Sequence, residues 1–250
     1  VSDLAGRTAL VTGGGSGLGA AIATALRGAG ADVVVVGRDV AKLAAVADRL
    51  GARAAVCDVA DPVAVDRLRE ELADVEVSIL VNNAGVPGPV APLTEVSVEE
   101  WDHVFDVNVR GTFLVCRAFL PAMVARGAGD VVNLASVSGK RPLLHRTPYC
   151  ASKTAVIGLT STLAFEVGPA GVNVNTLSPG PVDGPRMDRN FRLAAERTGT
   201  TVQQAQEEFV SRAALGRMVT EEEVGRAVVA MLGMPGLCGA DVDLSAGMVA

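Results

Sequence analysis

Thr8-Ala9-Leu10-Val11-Thr12-Gly13-Gly14-Gly15-Ser16-Gly17-Leu18-Gly19 is the stretch on which the fold turns. A short apolar run breaks into glycines and then resumes as a helix-length amphipathic segment, Gly17–Arg27. That order reads as a strand, a tight turn and the opening of a helix. Glycine lets a backbone turn sharply and pass close to another group. Exposed N–H groups at a helix start, together with the helix dipole, favour a phosphate. On its own the turn also suits a plain strand-to-helix connection or a methyltransferase loop. Its place in the first strand–helix unit favours a nucleotide site, with Gly13, Gly15, Ser16, Gly17, Leu18 and Gly19 facing the ligand.

The alternation carries outward from this unit. Nearly continuous apolar runs recur at Val33–Val36, Arg53–Val56, Ser78–Asn82, Asp130–Leu134, Asn173–Leu177 and Asp241–Leu244, as expected of strands covered on both faces. Helix-length segments lie between them at Val40–Leu50, Pro62–Ala73, Val98–Ala125, Tyr149–Val167 and Glu221–Leu232. Such alternation implies βαβ units and a parallel sheet. The expected fold is α/β: a single doubly wound domain over residues 1–250, with a seven-stranded parallel sheet and helices on both faces. Asp183–Arg217 breaks the rhythm. This polar stretch follows Pro179-Gly180-Pro181, contains Gly184-Pro185 and has a helix-like piece around Thr201–Ala214. A segment this long is usually functional or disordered, and we expect a mobile cover over the substrate.

Composition narrows the class. Hydrophobic residues make up 49% of the chain and charged residues 20%, enough apolar material for a large core. Aromatics are only 3%, so that core must be built from Ala, Val and Leu. The net charge is −6 and no Lys/Arg cluster stands out, which argues against nucleic acid and against a basic membrane-surface helix. No unbroken apolar run approaches the roughly 18 residues that cross a bilayer. The first apolar run ends in the glycine turn, which fits a strand and not a signal peptide. Cys57, Cys116, Cys150 and Cys238 form no Cys-x-x-Cys pair, so free thiols and a cytoplasmic location are expected. With His103 and His145 the only histidines, no multi-histidine metal site is expected.

Dinucleotide folds place a ribose-reading group about twenty residues beyond the glycine turn. Here the second strand ends Val36-Gly37-Arg38-Asp39. Gly37 cannot hold a ribose diol, and Arg38 suits a 2′-phosphate, which favours NADP over NAD. Asp39 is a counter-signal, since its carboxylate would bond the ribose or repel the phosphate. Cys57-Asp58-Val59 ends the third strand; Asp58 is placed to accept from an adenine amino group or to cap the loop that follows. Asn82-Asn83-Ala84-Gly85 ends the fourth: amide side chains there can tie strand ends together, while Ala84 and Gly85 leave room for a ribose. Open sheets bind ligands at the carboxyl ends of their strands, where these residues fall.

Tyr149-Cys150-Ala151-Ser152-Lys153 contains the only tyrosine. A helix starting near Pro148 puts Tyr149 and Lys153 on one face. An ammonium beside a phenol favours the phenolate, and a tyrosine tuned toward neutrality can serve as general acid and base. Alone, Tyr-x-x-x-Lys is common on helix surfaces. Its context is Ser136, whose hydroxyl can donate to a carbonyl oxygen, and Asn108, a poor helix former in mid-helix that suits a local hydrogen-bonding role. His103 beside Trp101 reads as packing, while His145 is a candidate for touching substrate. Arg141, Arg146 and Arg186 are candidates for an anionic group at the pocket mouth, with surface solvation an equal alternative.

These elements, in this order, resemble the short-chain dehydrogenase/reductase family, in its roughly 250-residue, 3-oxoacyl reductase-like branch, from Leu4 to the C-terminus. The resemblance rests on Thr12–Gly19, Asn82–Gly85, Asn108, Ser136, Tyr149, Lys153 and Pro179-Gly180. It implies a Rossmann domain, usually a homotetramer, that interconverts a secondary alcohol and a ketone by hydride transfer with NADP or NAD. It implies that Tyr149 transfers the proton and Ser136 holds the carbonyl oxygen. Lys153 would also bond the nicotinamide ribose, Asn108 would support a water relaying protons to Lys153, and Pro179, Gly180 and Val182 would line the nicotinamide. The chain departs at Ser245-Ala246-Gly247, where the family often has Asp-Gly-Gly, and at Pro181–Arg186, which lacks the family's frequent threonine. A catalytically silent nucleotide-binding protein is the alternative, against which the joint presence of Ser136, Tyr149 and Lys153 speaks. The substrate stays open among a 3-oxoacyl thioester, a cyclic alcohol, a steroid and a sugar, because pocket shape lies in the loops.

Overall fold

The apolar runs form one sheet because each has an apolar residue on both of its faces. In a computed structural model, which describes residues 3–248 but not the side chains of Pro185 and Arg186, seven parallel strands lie in the order β3-β2-β1-β4-β5-β6-β7. They are β1 (Thr8–Thr12), β2 (Asp32–Gly37), β3 (Arg53–Val56), β4 (Val77–Asn82), β5 (Gly129–Leu134), β6 (Val172–Pro179) and β7 (Asp241–Leu244). Alternate residues serve opposite sides. Ala9, Val11, Val33, Val35, Ile79 and Val81 pack into one core. Leu10, Val34, Val36, Leu80, Val131 and Val174 pack into the other. Full burial of a Val or Leu side chain stabilises by about 1.5–3 kcal/mol, so a polar substitution on either face of the central strands β1, β2 and β4 would be costly.

The first core is covered by α1 (Gly17–Gly28), α2 (Val40–Leu50) and α9 (Glu221–Leu232), through residues such as Ile22, Leu26, Leu43, Val224 and Val228. The second is covered by α3 (Pro62–Glu71), α5 (Gly111–Arg126) and α6 (Thr147–Val167), through Leu68, Val115, Phe119, Met123 and Ala164. The expected doubly wound sheet is therefore present, with its order reversing between β1 and β4.

Two departures matter. The single helix expected over Val98–Ala125 is α4 (Val98–Phe105) and α5 joined by a π-helical turn, Asp106–Arg110, centred on Asn108. Within Val98–Arg126 an 18-residue window of mean hydropathy 1.3 is long and apolar enough to cross a membrane, although polar residues interrupt it; 56% of that window is buried in the fold. The cover also holds two helices where one was expected: α7 (Pro185–Thr198) and α8 (Val202–Val210). Phe191 and Phe209 meet edge to face with ring centroids 5.4 Å apart and give this helical pair a small core of its own.

Candidate active site

The glycine turn is a cradle that side chains would fill. A Cβ on Gly19 would lie 2.1 Å from the Gly13 carbonyl oxygen, and one on Gly13, whose φ is +65°, would lie 2.9 Å from Asn83 Nδ2. Asn83 holds the turn from β4: its amide donates to the Thr12 carbonyl at 2.9 Å, while its own N–H and that of Ala84 each donate to Thr12 Oγ1 at 3.0 Å. Ser16 stands at the N-cap of α1 without bonding through its side chain, and no acidic residue lies in the first turn. The first N–H groups of α1 therefore receive no side-chain oxygen, a donor set that suits a pyrophosphate. Leu18 is partly buried against the first core.

At the end of β2 the competing signals separate. Asp39 caps α2, accepting from the Lys42 N–H at 3.1 Å and pairing with Lys42 Nζ at 3.0 Å. The Lys42 N–H, then its ammonium, hold the Asp39 carboxyl below its ordinary range. Arg38 extends into solvent and pairs with Asp58 at 3.6 Å. Asp58 also accepts from the Ala60 N–H at 3.0 Å, so it does cap its loop. Val59 is buried, and a Cβ on Gly111 would strike its Cγ2 at 2.7 Å, so its side chain belongs to the core.

Asn82 likewise turns inward. Its Nδ2 donates to Asn133 Oδ1 at 2.8 Å and to Cys116 Sγ at 3.2 Å; Asn133 Nδ2 donates in turn to Thr160 Oγ1 at 2.9 Å. This buried chain of amides ties β4 to β5 and α6, as the paired asparagines suggested. Burial pushes the Cys116 thiol up to about 12, despite the Asn82 amide.

Tyr149, Lys153, Ser136 and Asn108 gather at the carboxyl edge of the sheet. Lys153 is 6% exposed; its Nζ donates to the Leu134 carbonyl at 2.7 Å and lies 5.8 Å from the centre of the Tyr149 ring. Ser136 begins the short turn Val137–Gly139: its Oγ accepts from the Ser138 N–H at 3.1 Å and reaches the Pro179 carbonyl at 3.5 Å. Thr154 Oγ1 donates to the Gly139 carbonyl at 2.6 Å, clamping that turn onto α6. Lys140 ties the same turn to β7 through Asp241, at 2.7 Å, and Asp243. Burial opposes the Lys140 ammonium, but the bonds to the two aspartates outweigh it and raise its pKa.

Asn108 is 1% exposed and makes the local bonds its position suggested. Its Oδ1 accepts from the Val86 N–H at 2.7 Å, and its Nδ2 donates to the Val86 carbonyl and to Ser152 Oγ, each at 3.0 Å. A Cβ on Gly85 would lie 3.2 Å from Asn108 Oδ1 and 3.6 Å from Lys153 Nζ, so both side chains border the space that Gly85 leaves open. Gly180 packs against Ser245, and Val182 bridges to Val219 at the root of the cover.

Other placements differ from expectation. His103 is exposed; it is Trp101 and Phe105 that stack, at 4.8 Å. Arg141 donates to the Met248 carbonyl at 2.6 Å, and Arg146 to the carbonyls of Pro87 and Gly88, each at 3.1 Å, so both act as braces. The Arg186 side chain lies outside the described residues. A cleft of about 720 Å³ runs between Thr24, Asp183, Glu221 and Arg226; none of Ser136, Tyr149 or Lys153 lines it. Among the described residues no group of three or more His, Cys, Asp or Glu side chains could hold a metal ion.

Known proteins resemble this chain in sequence and in fold. The profile of the short chain dehydrogenase family matches residues 7–196. The chain is 41% identical over 206 residues to the D-threitol dehydrogenase of Mycolicibacterium smegmatis, across 76% of this chain and 79% of that protein. An actinorhodin polyketide ketoreductase solved with NADPH superposes with a TM-score of 0.92 at 31% identity, covering 97% of each chain. An NAD+-bound xylitol dehydrogenase superposes with a TM-score of 0.88 at 28% identity, covering 98% of this chain and 100% of the other.

Proposed function

The chain belongs to the short chain dehydrogenase family, and from that premise we propose how its site works and what it accepts. It is a nicotinamide-dependent oxidoreductase that interconverts an alcohol and a ketone; the relatives named above are dehydrogenases and a ketoreductase, and none of these favours the silent alternative. The observation that carries the mechanism is the meeting of Tyr149, Lys153 and Ser136 beside a glycine cradle.

The cradle fits a dinucleotide: Gly13, Gly15, Ser16, Gly17, Leu18 and Gly19 would hold the pyrophosphate, and Asp58, Ala84, Gly85, Pro179, Gly180 and Val182 would flank the rest. The bound cofactor supplies or accepts the hydride. Tyr149 gives its phenolic proton to the carbonyl oxygen in reduction, or takes the hydroxyl proton in oxidation. Lys153, whose Nζ lies 5.8 Å from the centre of the Tyr149 ring, would bond the nicotinamide ribose and relay protons between Tyr149 and water in either direction. Ser136 donates to the substrate oxygen, held in place by the turn that Thr154 and Lys140 clamp. Asn108 fixes Val86 and Ser152 around the opening at Gly85 and supports a water leading to Lys153.

NADP is the preferred cofactor in this reading, since Asp39 is spent on capping α2 while Arg38 extends into solvent. The substrate is an acyclic polyol or the matching ketose, a class suggested by the threitol and xylitol dehydrogenases. Exposed Phe113 on α5 and Phe165 on α6 support a homotetramer, and free thiols support a cytoplasmic location. A panel of C4–C6 polyols and ketoses with NADPH, NADH and their oxidised forms tests the reading: turnover with a polyol pair and lower KM for the 2′-phosphorylated cofactor are expected, while turnover of oxoacyl thioesters alone would overturn the substrate assignment.

A further inference from the structure

The chain has no regular structure from residue 83 to 90, in the loop that leaves β4 beside the site. This loop starts beside Lys153 at Gly85 and is held next at Val86 by Asn108. Beyond Val86 its fastenings come from the two residues just ahead of the helix that carries Tyr149. Arg146 Nη1 donates to the Pro87 and Gly88 carbonyls, each at 3.1 Å, and the His145 carbonyl accepts from the Ala91 N–H at 3.1 Å. Gly88, at φ +64°, is pressed so closely to α4 that a Cβ there would lie 2.6 Å from Val104 Cγ2. His145 adopts φ +62°, a conformation that L residues keep only when their surroundings hold them in it. Arg146 is also the N-cap of α6, and its carbonyl accepts from the Cys150 N–H at 2.9 Å. One residue thus joins the base of the Tyr149 helix to the loop that begins beside Lys153.

We propose that Arg146 is a positioning residue that sets the width of the substrate cleft, so that the site takes short acyclic alcohols and ketones and disfavours bulky ones. The inference deepens the alcohol–ketone reading above and rests on it. A charged donor shared between two neighbouring carbonyls holds the loop more firmly than a neutral bond would. A lysine brings a point charge on a flexible stem and can restore part of that hold, whereas methionine keeps the bulk and loses every donor.

The test uses Arg146→Met and Arg146→Lys in the full chain, with two readouts. Hydrogen exchange reads the clasp without any need for turnover: in Arg146→Met the Ala91 amide should exchange at least about tenfold faster, as expected when a local opening becomes easier. Steady-state kinetics read specificity: the ratio of kcat/KM for threitol over cyclohexanol should fall by roughly tenfold or more in Arg146→Met, mainly through a higher threitol KM, and recover in part in Arg146→Lys. Cofactor Kd should stay within about twofold, because the bonds that Arg146 makes to the loop lie outside the glycine cradle. Unchanged exchange over residues 87–91 would overturn the clasp. Equal loss on both alcohols, with cofactor affinity falling alongside, would overturn the specificity role. A wild-type enzyme that turns over no alcohol or ketone would instead count against the reading of function, while the exchange result still decides the clasp.

Discussion

Replacing Gly19 with alanine adds one carbon where the structure has no room. The new Cβ would sit 2.1 Å from the Gly13 carbonyl oxygen and 2.6 Å from Asn83 Nδ2, and the first gap must open by about 0.9 Å to reach the 3.0 Å that real Cβ atoms respect. Gly13 is backbone, so the turn itself has to move. Overpacking of this kind costs roughly 1–3 kcal/mol. In a chain of this size each kcal/mol lowers Tm by about 2–4 °C, so a fall of roughly 2–12 °C is expected. A shift near 1 Å in a positioning element costs on the order of 10²-fold in turnover, and cofactor affinity should fall with it. Gly28→Ala is the control: nothing lies within 4 Å of its Cβ and its φ is not positive, so it should be neutral or stabilise by about 0.4–1 kcal/mol. Calorimetry and dinucleotide fluorescence titration measure both quantities. A Gly19→Ala protein with wild-type Tm and cofactor Kd would refute the cradle packing.

Three further outcomes follow from other parts of the molecule. Arg38→Ala should weaken NADPH binding roughly tenfold or more, given the ~1.5–3 kcal/mol of a charge-assisted bond, and leave NADH nearly unchanged; paired titrations read the difference. Asn133→Ala takes one bond from Asn82 Nδ2, which keeps Cys116 Sγ, and one from Thr160 Oγ1, which keeps the Val156 carbonyl, and should cost roughly 1–3 kcal/mol in a denaturant melt. Glu223 is held down to about 2 by its paired bonds to Arg217 and by the Thr220 N–H. Its folded pKa lies below the unfolded value, so its stabilisation is complete above about pH 4.5 and is lost as pH falls toward 2. Arg217→Gln should therefore flatten the acid limb of a Tm-against-pH curve in that window.

The strands were legible because burial on both faces leaves an apolar run with little ambiguity, and Val33–Val36 needed only one residue added at each end. Tyr149 and Lys153 were legible because a helix turns an i,i+4 spacing into proximity, here 5.8 Å. Helix α7 was not. Its sequence is polar, opens at Gly184-Pro185, and among its described side chains buries only Phe191 and Ala195, the former against Phe209, eighteen positions away. The π turn at Asn108 was hidden for a related reason: it is held by Val86 and Ser152, partners 22 and 44 residues distant. Asp39 was read only toward the cofactor, as a ribose partner or a repellent of the 2′-phosphate, and its cap on α2 was not foreseen. Arg146 was read as an anion contact at the pocket mouth or as surface charge, and its bonds to the Pro87 and Gly88 carbonyls, residues nearly sixty positions away, were not legible.

The central claim is that the proton of each turnover passes through the phenol of Tyr149. The measurement that tests it most directly is kcat, together with cofactor Kd, for Tyr149→Phe on one confirmed alcohol–ketone pair, with Ser136→Ala and Lys153→Ala alongside. Tyr149→Phe should lose nearly all turnover and keep its cofactor affinity. Ser136→Ala should lose about 10²–10³-fold in kcat, the usual cost of one donor to a developing oxyanion. Lys153→Ala should lose both rate and cofactor affinity. A Tyr149→Phe enzyme that retains a substantial part of the wild-type rate would contradict the mechanism.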